Sequence, residues 1–146
     1  MPIFRKGFIE DIEQIADLEA GIFSDAWTSR SLQDTFAQKH AFITVAEHDG
    51  FVVGYCSIYH VLDEGEIARI AVSSGLRGRG IGKGLLDYTC ECCREKQVER
   101  LLLDVRESNI TARTFYEKYG FDTDGIRKNF YEMPKEDAVL MSFQLK

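Results

Sequence analysis

The spacing of apolar residues along the chain predicts helices and strands in alternation. Helical spacing predicts four helices, one that begins after Asp11, one that begins at Ser29 or Ser31, and two over residues 82–97 and 109–119. Apolar runs bounded by turn residues predict seven strands, at residues 3–8, 41–47, 51–60, 66–72, 101–106, 121–127 and 137–145.

The order of these elements predicts a mixed sheet. An Asp49-Gly50 turn joins the second and third strands as an antiparallel hairpin. The strand–helix–strand unit over residues 66–106 implies a parallel pair, because parallel strands need a long crossover connection. The pattern alone therefore predicts one domain over residues 1–146, with an α/β (α+β) fold in which helices flank a mixed sheet.

A glycine-rich segment links the fourth predicted strand to the third predicted helix. Four glycines alternate with other residues there, namely Gly78, Gly80, Gly82 and Gly84. Their backbone can approach a ligand closely and adopt angles that a Cβ would forbid. The helix that follows directs its first N–H groups into the loop, and Arg77, Arg79 and Lys83 add positive charge. The segment predicts a phosphate or pyrophosphate site, with a plain flexible turn as the alternative.

Three phosphate-binding patterns can be compared with this segment. A P-loop would need glycine at position 77 and serine or threonine at position 84, where the chain has Arg77 and Gly84. The dinucleotide pattern Gly-x-Gly-x-x-Gly fails from both possible starts, because lysine or leucine stands where the last glycine is required. The pattern Arg-x-x-Gly-x-Gly, read from Arg77 to Gly82, does fit.

Composition and charge narrow the class of partner. The chain has 146 residues and a net charge of −6, which argues against nucleic acid as the main partner because phosphate contacts need a basic face. The first residues lack the apolar stretch of a signal peptide, and no apolar run approaches membrane-spanning length. We therefore expect a cytoplasmic protein that does not bind membranes. An acidic protein with one cationic loop suits an anionic cofactor and a cationic acceptor.

The four cysteines do not form a convincing metal site. Cys90, Cys92 and Cys93 share one predicted helix, where their thiols point in different directions, and Cys56 belongs to a strand. We expect Cys90 and Cys93 to be buried as small apolar residues and Cys92 to be more exposed.

Two motifs together resemble the GNAT family of N-acetyltransferases. The first is the loop from Arg77 to Gly82, which is similar to the family's acetyl-CoA pyrophosphate loop. The second, similar to the family's next cofactor motif, consists of Asp104-Val105-Arg106, Ser108-Asn109, Ala112, Phe115-Tyr116 and Gly120-Phe121. Segments at 24–28, 61–64, 125–131 and 136–141 resemble the branch of ribosomal-protein-alanine N-acetyltransferases. The resemblance spans essentially the whole chain.

The resemblance implies a fold and a co-substrate. The fold is a GNAT-like mixed sheet of about seven strands, splayed at its centre, flanked by about four helices. The co-substrate is acetyl-CoA, with its pantetheine arm in the splayed wedge and with no metal. The residues implied for acetyl-CoA binding are Ala71 and Val72 through their backbone, the loop residues Arg77, Gly78, Arg79, Gly80, Ile81, Gly82, Lys83 and Gly84, and Asn109 and Tyr116 of the following helix.

Acetyl transfer to an amine needs a group that takes the amine proton and a group that protonates the leaving sulfur. Asp104 is the main candidate for the base, because it interrupts an apolar strand and matches the branch's catalytic carboxylate. The branch usually has glutamate there, so the shorter Asp104 could act through a bridging water or yield the role to Glu66. Tyr116 matches the family's leaving-group tyrosine. The alternatives are a solvent-facing Asp104 and a Tyr116 that only packs.

The expected acceptor is the N-terminal α-amine of a protein, namely the N-terminal alanine of a small-subunit ribosomal protein. An α-amine has a pKa near 8, against about 10.4 for lysine, so it is the easier nucleophile. The residues expected around the peptide are Asp25, Trp27, Glu66, Asn129 and Tyr131. A lysine side chain or small-molecule amine is the alternative acceptor, and a non-catalytic acyl-CoA-binding module is the alternative class. We expect a monomer or weak homodimer.

Overall fold

The computed structural model describes residues 2–145 and contains the elements that the apolar pattern predicts. The α-helices are α1 (Ile12–Ile22), α2 (Ser29–Ala37), α3 (Ile81–Glu95) and α4 (Ile110–Tyr119). The strands are β1 (Ile3–Lys6), β2 (Ala41–His48), β3 (Phe51–Val61), β4 (Glu64–Val72), β5 (Arg100–Arg106), β6 (Asp122–Glu132) and β7 (Lys135–Gln144). The predicted mixed fold is confirmed.

All seven strands form one sheet in the order β1-β2-β3-β4-β5-β7-β6. Neighbouring strands are antiparallel except β4 and β5, which run parallel and are joined by the crossover helix α3. The predicted parallel pair is therefore at the centre of the sheet.

The sheet opens at this central pair. β4 and β5 pair at only three positions among the described residues, and the last of them joins Glu66 to Leu102. Beyond that point β4 continues to Val72 and β5 to Arg106 without pairing with each other. The splayed sheet that the family resemblance implied is confirmed. The opening is a wedge with unpaired backbone on both sides, which a ligand can satisfy.

Helices cover the two faces of the sheet over separate apolar clusters. On one face α3 and α4 bury a cluster that includes Leu85, Leu101 and Tyr116. On the other face α1 and α2 bury a cluster that includes Ile15 and Tyr55, beneath the half of the sheet that contains β2 and β3. In the described chain, no helix is both long and apolar enough to cross a membrane.

Two details differ from the sequence prediction. The last hairpin is longer than predicted, because β6 reaches Glu132 and β7 begins at Lys135. The side chains of β6 are mostly exposed, so they lack the alternation that would have revealed its length. The expected exposure of Cys92 is wrong, since the residue is only 3% exposed. α3 packs against β1 as well as β2–β4, which covers an additional side of the helix.

Candidate active site

The glycine-rich loop has the geometry of an anion site. Gly78 and Gly80 both have a φ of +79°, a left-handed conformation that favours glycine. Gly80 is the N-cap of α3, so the first N–H groups of the helix lack partners within it and point toward the loop. The Arg77 side chain donates to the Val72 carbonyl at 3.2 Å and ties the loop to the end of β4.

The other two glycines of the run serve helix packing. A Cβ on Gly84 would overlap the ring of Phe4 on β1, and a Cβ on Gly82 would stand 3.3 Å from the ring of Phe115 on α4. The alternation of glycines in the sequence therefore combines two requirements. Gly78 and Gly80 shape the loop, whereas Gly82 and Gly84 let β1 and α4 approach α3.

Cationic and aromatic side chains surround the start of α3. Lys83 forms an ion pair with Asp87 at 3.1 Å, and Asp87 accepts a 2.6 Å hydrogen bond from the Tyr119 hydroxyl. A cavity of about 380 Å³ lies between α3 and α4, lined by Lys83, Asp87, Phe115, Lys118, Tyr119 and Phe143. Arg79 is exposed beside this surface. The loop, the helix start and the cavity together suit a phosphate-bearing ligand.

The structure places the remaining residues expected at the cofactor on β4 and α4. Ala71 and Val72 form the end of β4 beyond its last pair with β5. Asn109 is the N-cap of α4, and its Oδ1 accepts from the Ala112 N–H at 3.2 Å.

Tyr116 on α4 is 6% exposed and packs against Phe115 and Phe121. Burial raises the pKa of Tyr116, with the nearby Cys56 adding to the effect, so the phenol keeps its proton at neutral pH.

Two carboxylates lie near each other at the mouth of the wedge, on the face of the sheet opposite α3 and α4. Glu66 pairs with Leu102, and Asp104 lies two residues further along β5, so both side chains project to the same face. Burial raises the pKa of Glu66, the negative charge of Asp104 raises it further, and Arg127 opposes both. The two carboxylates therefore form an acidic pair on one face of the sheet, which we call the acidic floor.

One wall beside the acidic floor is the loop between α1 and α2. Trp27 in this loop is half-buried, and its ring lies 6.5 Å from that of Tyr55. Its backbone N–H donates to Glu19 Oε1 at 2.8 Å. Asp25 is 80% exposed at the side chain and lies 3.4 Å from Arg69 of β4. Trp27 thus packs against the core, and its loop is attached through Arg69 to β4, the strand that carries Glu66; we call the space between this loop and the β6–β7 hairpin the groove.

The facing wall is the β6–β7 hairpin. The Tyr131 ring stacks on the Arg106 guanidinium at 4.3 Å, and burial raises the Tyr131 pKa, with the Asp104 charge adding to the effect. Tyr131 is therefore close to the acidic floor. Asn129 has a φ of +52° in an irregular stretch of β6, and its backbone N–H donates to Asp137 at 2.8 Å. Through this hydrogen bond, the Asn129 backbone helps to fix the shape of the hairpin.

Sequence reasoning missed the polar residues that hold these walls. Glu19 is fully buried and ion-paired with Arg69, and Arg106 is ion-paired with Glu136. A signal for the first pair was present, because Glu19 lies one heptad after Ile12, on the apolar face of α1. Arg69 likewise interrupts the apolar run of β4. A charge at an apolar position on each of these elements indicates that it has a buried partner, without identifying that partner.

The cysteines are unsuited to act as nucleophiles. All four are free and buried, and burial raises the pKa of each thiol, to about 12 for Cys93. The expected burial of Cys90 and Cys93 is confirmed. Within residues 2–145, no group of three or more His, Cys, Asp or Glu side chains is placed to hold a metal ion.

Comparison with known proteins agrees with this geometry. A Bacillus subtilis (strain 168) protein provisionally named [ribosomal protein bS18]-alanine N-acetyltransferase is 39% identical over 134 residues, covering 91% of this chain and 89% of its own. The Haemophilus influenzae [ribosomal protein bS18]-alanine N-acetyltransferase is 34% identical, covering 92% and 93%. The crystal structure of the Escherichia coli ribosomal-protein-S18-alanine N-acetyltransferase superposes with a TM-score of 0.90 at 24% identity, covering 100% of this chain and 95% of its own.

A family profile gives the same assignment from a separate comparison. The acetyltransferase (GNAT) family matches residues 12–121, which include α1, the glycine-rich loop, β5 and α4. Acetyltransferases of this family use acetyl-CoA. The matched residues are also those that build the wedge and the acidic floor. This chain belongs to the GNAT family of acetyltransferases.

Proposed function

We propose that this protein transfers the acetyl group of acetyl-CoA to the N-terminal α-amine of a protein. The acceptor we infer is the N-terminal alanine of a small-subunit ribosomal protein, in the cytoplasm, with the chain acting as one domain. The observation that carries the proposal is the acidic floor, where Glu66 and Asp104 meet at the mouth of the wedge. The names of relatives that are 34–39% identical over most of the chain support the choice of acceptor.

The residues present fit acetyl-CoA. The N–H groups at the start of α3, together with Arg77, Arg79 and Lys83, suit its phosphates. The unpaired stretch of β4 at Ala71 and Val72 suits the amide groups of its pantetheine arm. Asn109 and Tyr116 would border that arm from α4. When bound, acetyl-CoA supplies a thioester that is already activated for acyl transfer.

The acidic floor is proposed to attract the acceptor ammonium group and to remove its proton. An α-amine enters largely as an ammonium ion, which two carboxylates attract. One carboxylate takes the proton, directly or through water, and frees the nitrogen lone pair for attack on the thioester carbonyl. The raised pKa favours Glu66 as the proton acceptor, with the Asp104 charge tuning it.

Tyr116 is the proposed proton donor to the leaving sulfur. As the new nitrogen–carbon bond forms and the carbon–sulfur bond breaks, the protonated Tyr116 hydroxyl gives its proton to the thiolate. The proposed transfer is direct, in a ternary complex, since burial and the raised pKa of the thiols disfavour an acyl-enzyme on cysteine.

The acceptor class is tested with a panel of short peptides, by measuring the free thiol released from acetyl-CoA. The panel contains peptides with N-terminal Ala, Ser or Met, a blocked peptide with an internal lysine, and a polyamine. Preference for the Ala or Ser N-terminus is the expected result. Release with only the lysine or the polyamine would keep the enzyme class and replace the acceptor. Binding of acetyl-CoA without release on any substrate would favour a non-catalytic module.

A further inference from the structure

The ion pair between α1 and β4 has no part in the chemistry described above. Arg69 Nη2 lies 2.9 Å from Glu19 Oε1, and Arg69 Nε lies 3.1 Å from Glu19 Oε2, a two-point contact between planar groups. The Glu19 side chain is 0% exposed and that of Arg69 is 16% exposed. A buried ion pair rarely stabilises a fold more than apolar residues of similar volume would, which raises the question of what it specifies.

Within residues 2–145, the further side-chain hydrogen bonds and ring contacts of this pair are with the loop between α1 and α2. Glu19 Oε1 accepts the Trp27 backbone N–H at 2.8 Å, and Arg69 Nη2 donates to the Asp25 carbonyl at 3.1 Å. The Arg69 guanidinium also lies 3.9 Å from the ring centre of Phe23 and 4.9 Å from that of Trp27. Arg69 Nη2 also donates to Asp25 Oδ1 at 3.4 Å, so three hydrogen bonds and two ring contacts fix the loop that forms one wall of the groove.

The position of Arg69 on β4 connects this wall to the site. Arg69 lies three residues after Glu66 of the acidic floor and two residues before Ala71 of the wedge, and an irregularity in β4–β3 pairing falls between Ile67 and Arg69. The same guanidinium therefore fixes the loop relative to the carboxylates and to the unpaired strand.

We infer that Glu19 and Arg69 are an acceptor-positioning pair, which holds the loop containing Asp25 and Trp27 at the distance from the acidic floor that an incoming peptide N-terminus requires. The inference rests on the proposed function. Neither residue touches the reacting atoms, so their loss acts on peptide binding and orientation through the loop. Neither residue belongs to the set proposed to hold acetyl-CoA, which would contact the glycine-rich loop and the start of α3.

The test replaces both charges at once, with Glu19→Leu and Arg69→Met in one variant. Replacing a buried ion pair by apolar residues of similar size preserves folding, whereas removing one partner would leave a buried charge. We expect kcat/KM for the Ala peptide to fall about tenfold or more, mainly through KM, as misplaced binding groups do. KM for acetyl-CoA should stay within about twofold of the wild-type value. Unchanged peptide KM in the folded variant would overturn the inference.

A matched control variant removes an exposed ion pair that joins β4 to β5, the two strands that border the wedge. Arg100 and Glu64 lie 3.5 Å apart with side chains 40% and 50% exposed. The control variant combines Glu64→Leu with Arg100→Met, and we expect its peptide KM to equal that of the wild type. A rise in peptide KM equal to that of the buried-pair variant would overturn the inference, since the effect would not depend on the loop.

The fluorescence of Trp27, the single tryptophan of the chain, separates this inference from the proposed function. In the buried-pair variant the loop loses its fixed position, so Trp27 emission should shift to longer wavelength and become more accessible to acrylamide. The control variant should match the wild type. These readouts need no acceptor, so they remain decisive if no peptide of the panel is acetylated. Unchanged emission and quenching would overturn the inference even if the proposed function holds.

Discussion

The two walls of the groove use the same chemical groups at different depths. On the α1–α2 side, Arg69 pairs with a fully buried Glu19 and stacks on aromatic rings. On the β6–β7 side, Arg106 pairs with Glu136 and stacks on Tyr131, but its side chain is 32% exposed. Both arginines lie on the separated ends of the central strands. Each wall is therefore fixed to a different edge of the wedge.

The depth of each pair determines how firmly its wall is held. A fully buried carboxylate such as Glu19 retains the full cost of leaving water when it loses its partner, whereas Glu136, whose side chain is 16% exposed, regains part of its hydration. Glu136 also accepts from the Ser108 N–H at 2.6 Å, which ties the hairpin to the segment before Asn109. We infer from this difference that the α1–α2 loop is held more rigidly relative to the site than the β6–β7 hairpin is.

The largest expected effect comes from breaking each pair with one substitution. Arg69→Met leaves Glu19 buried without its partner and should lower the free energy of unfolding by about 3–5 kcal/mol. Arg106→Met, the matched variant of the other wall, should cause a much smaller loss. Urea unfolding of both variants at neutral pH measures the difference. Equal losses would show that the two walls are held alike.

The second largest effect should come from removing the general base, which is supplied by one of the two strands that border the wedge. Glu66 belongs to β4 and Asp104 to β5, so each edge of the wedge contributes one carboxylate to the acidic floor. Replacing the proton acceptor should lower kcat by about a hundredfold, the lower end of general-base effects. We expect this loss for Glu66→Gln and a smaller loss for Asp104→Asn, measured at saturating acetyl-CoA and peptide.

The pH dependence of Asp104→Asn distinguishes the two roles. The charge of Asp104 helps to raise the pKa of Glu66, so its removal should lower that pKa. If Glu66 is the base, it becomes ionised at lower pH, and the acidic limb of the kcat profile moves to lower pH. If the acidic limb disappears and the rate is lost at every pH, Asp104 is the base instead.

The sequence predicts the scaffold of this site better than its walls. The glycine-rich loop, the crossover helix and the interrupted strand at Asp104 each leave a local pattern, because their backbone or burial requirement constrains nearby residues. The splay of β4 and β5 came from family resemblance, since pairing between distant strands leaves no local pattern. The wall contacts, such as Glu19 with Arg69, join residues 50 positions apart. Each charge was visible in the sequence, whereas the partner of each was not.

Loss of the hydroxyl group should affect the kinetics differently at Tyr116 and at Tyr131. Tyr116→Phe removes the proposed proton donor and should lower kcat roughly tenfold, the equivalent of about 1.4 kcal/mol, without changing acetyl-CoA affinity. Tyr131→Phe keeps the ring on Arg106 and removes only the hydroxyl near the floor, so peptide KM should rise by a smaller factor. Steady-state kinetics with each substrate varied separately measures both effects. Wild-type kcat in Tyr116→Phe would remove Tyr116 from the mechanism.

The smallest expected effect concerns the exposed wall and its dependence on pH. Hydrogen bonds from Ser108 hold the pKa of Glu136 below its ordinary value of 4.5, and Arg106 adds to them. A carboxylate with a lowered pKa in the folded state stabilises the fold above its unfolded pKa and loses that contribution as pH falls through the folded value. Glu136→Gln should therefore be less stable than the wild type at neutral pH, and the difference should shrink as pH falls below about 4.5. Urea unfolding at several pH values measures it. A difference that is independent of pH would mean that the Glu136 charge does not hold the hairpin, and that packing of Tyr131 on Arg106 holds it instead.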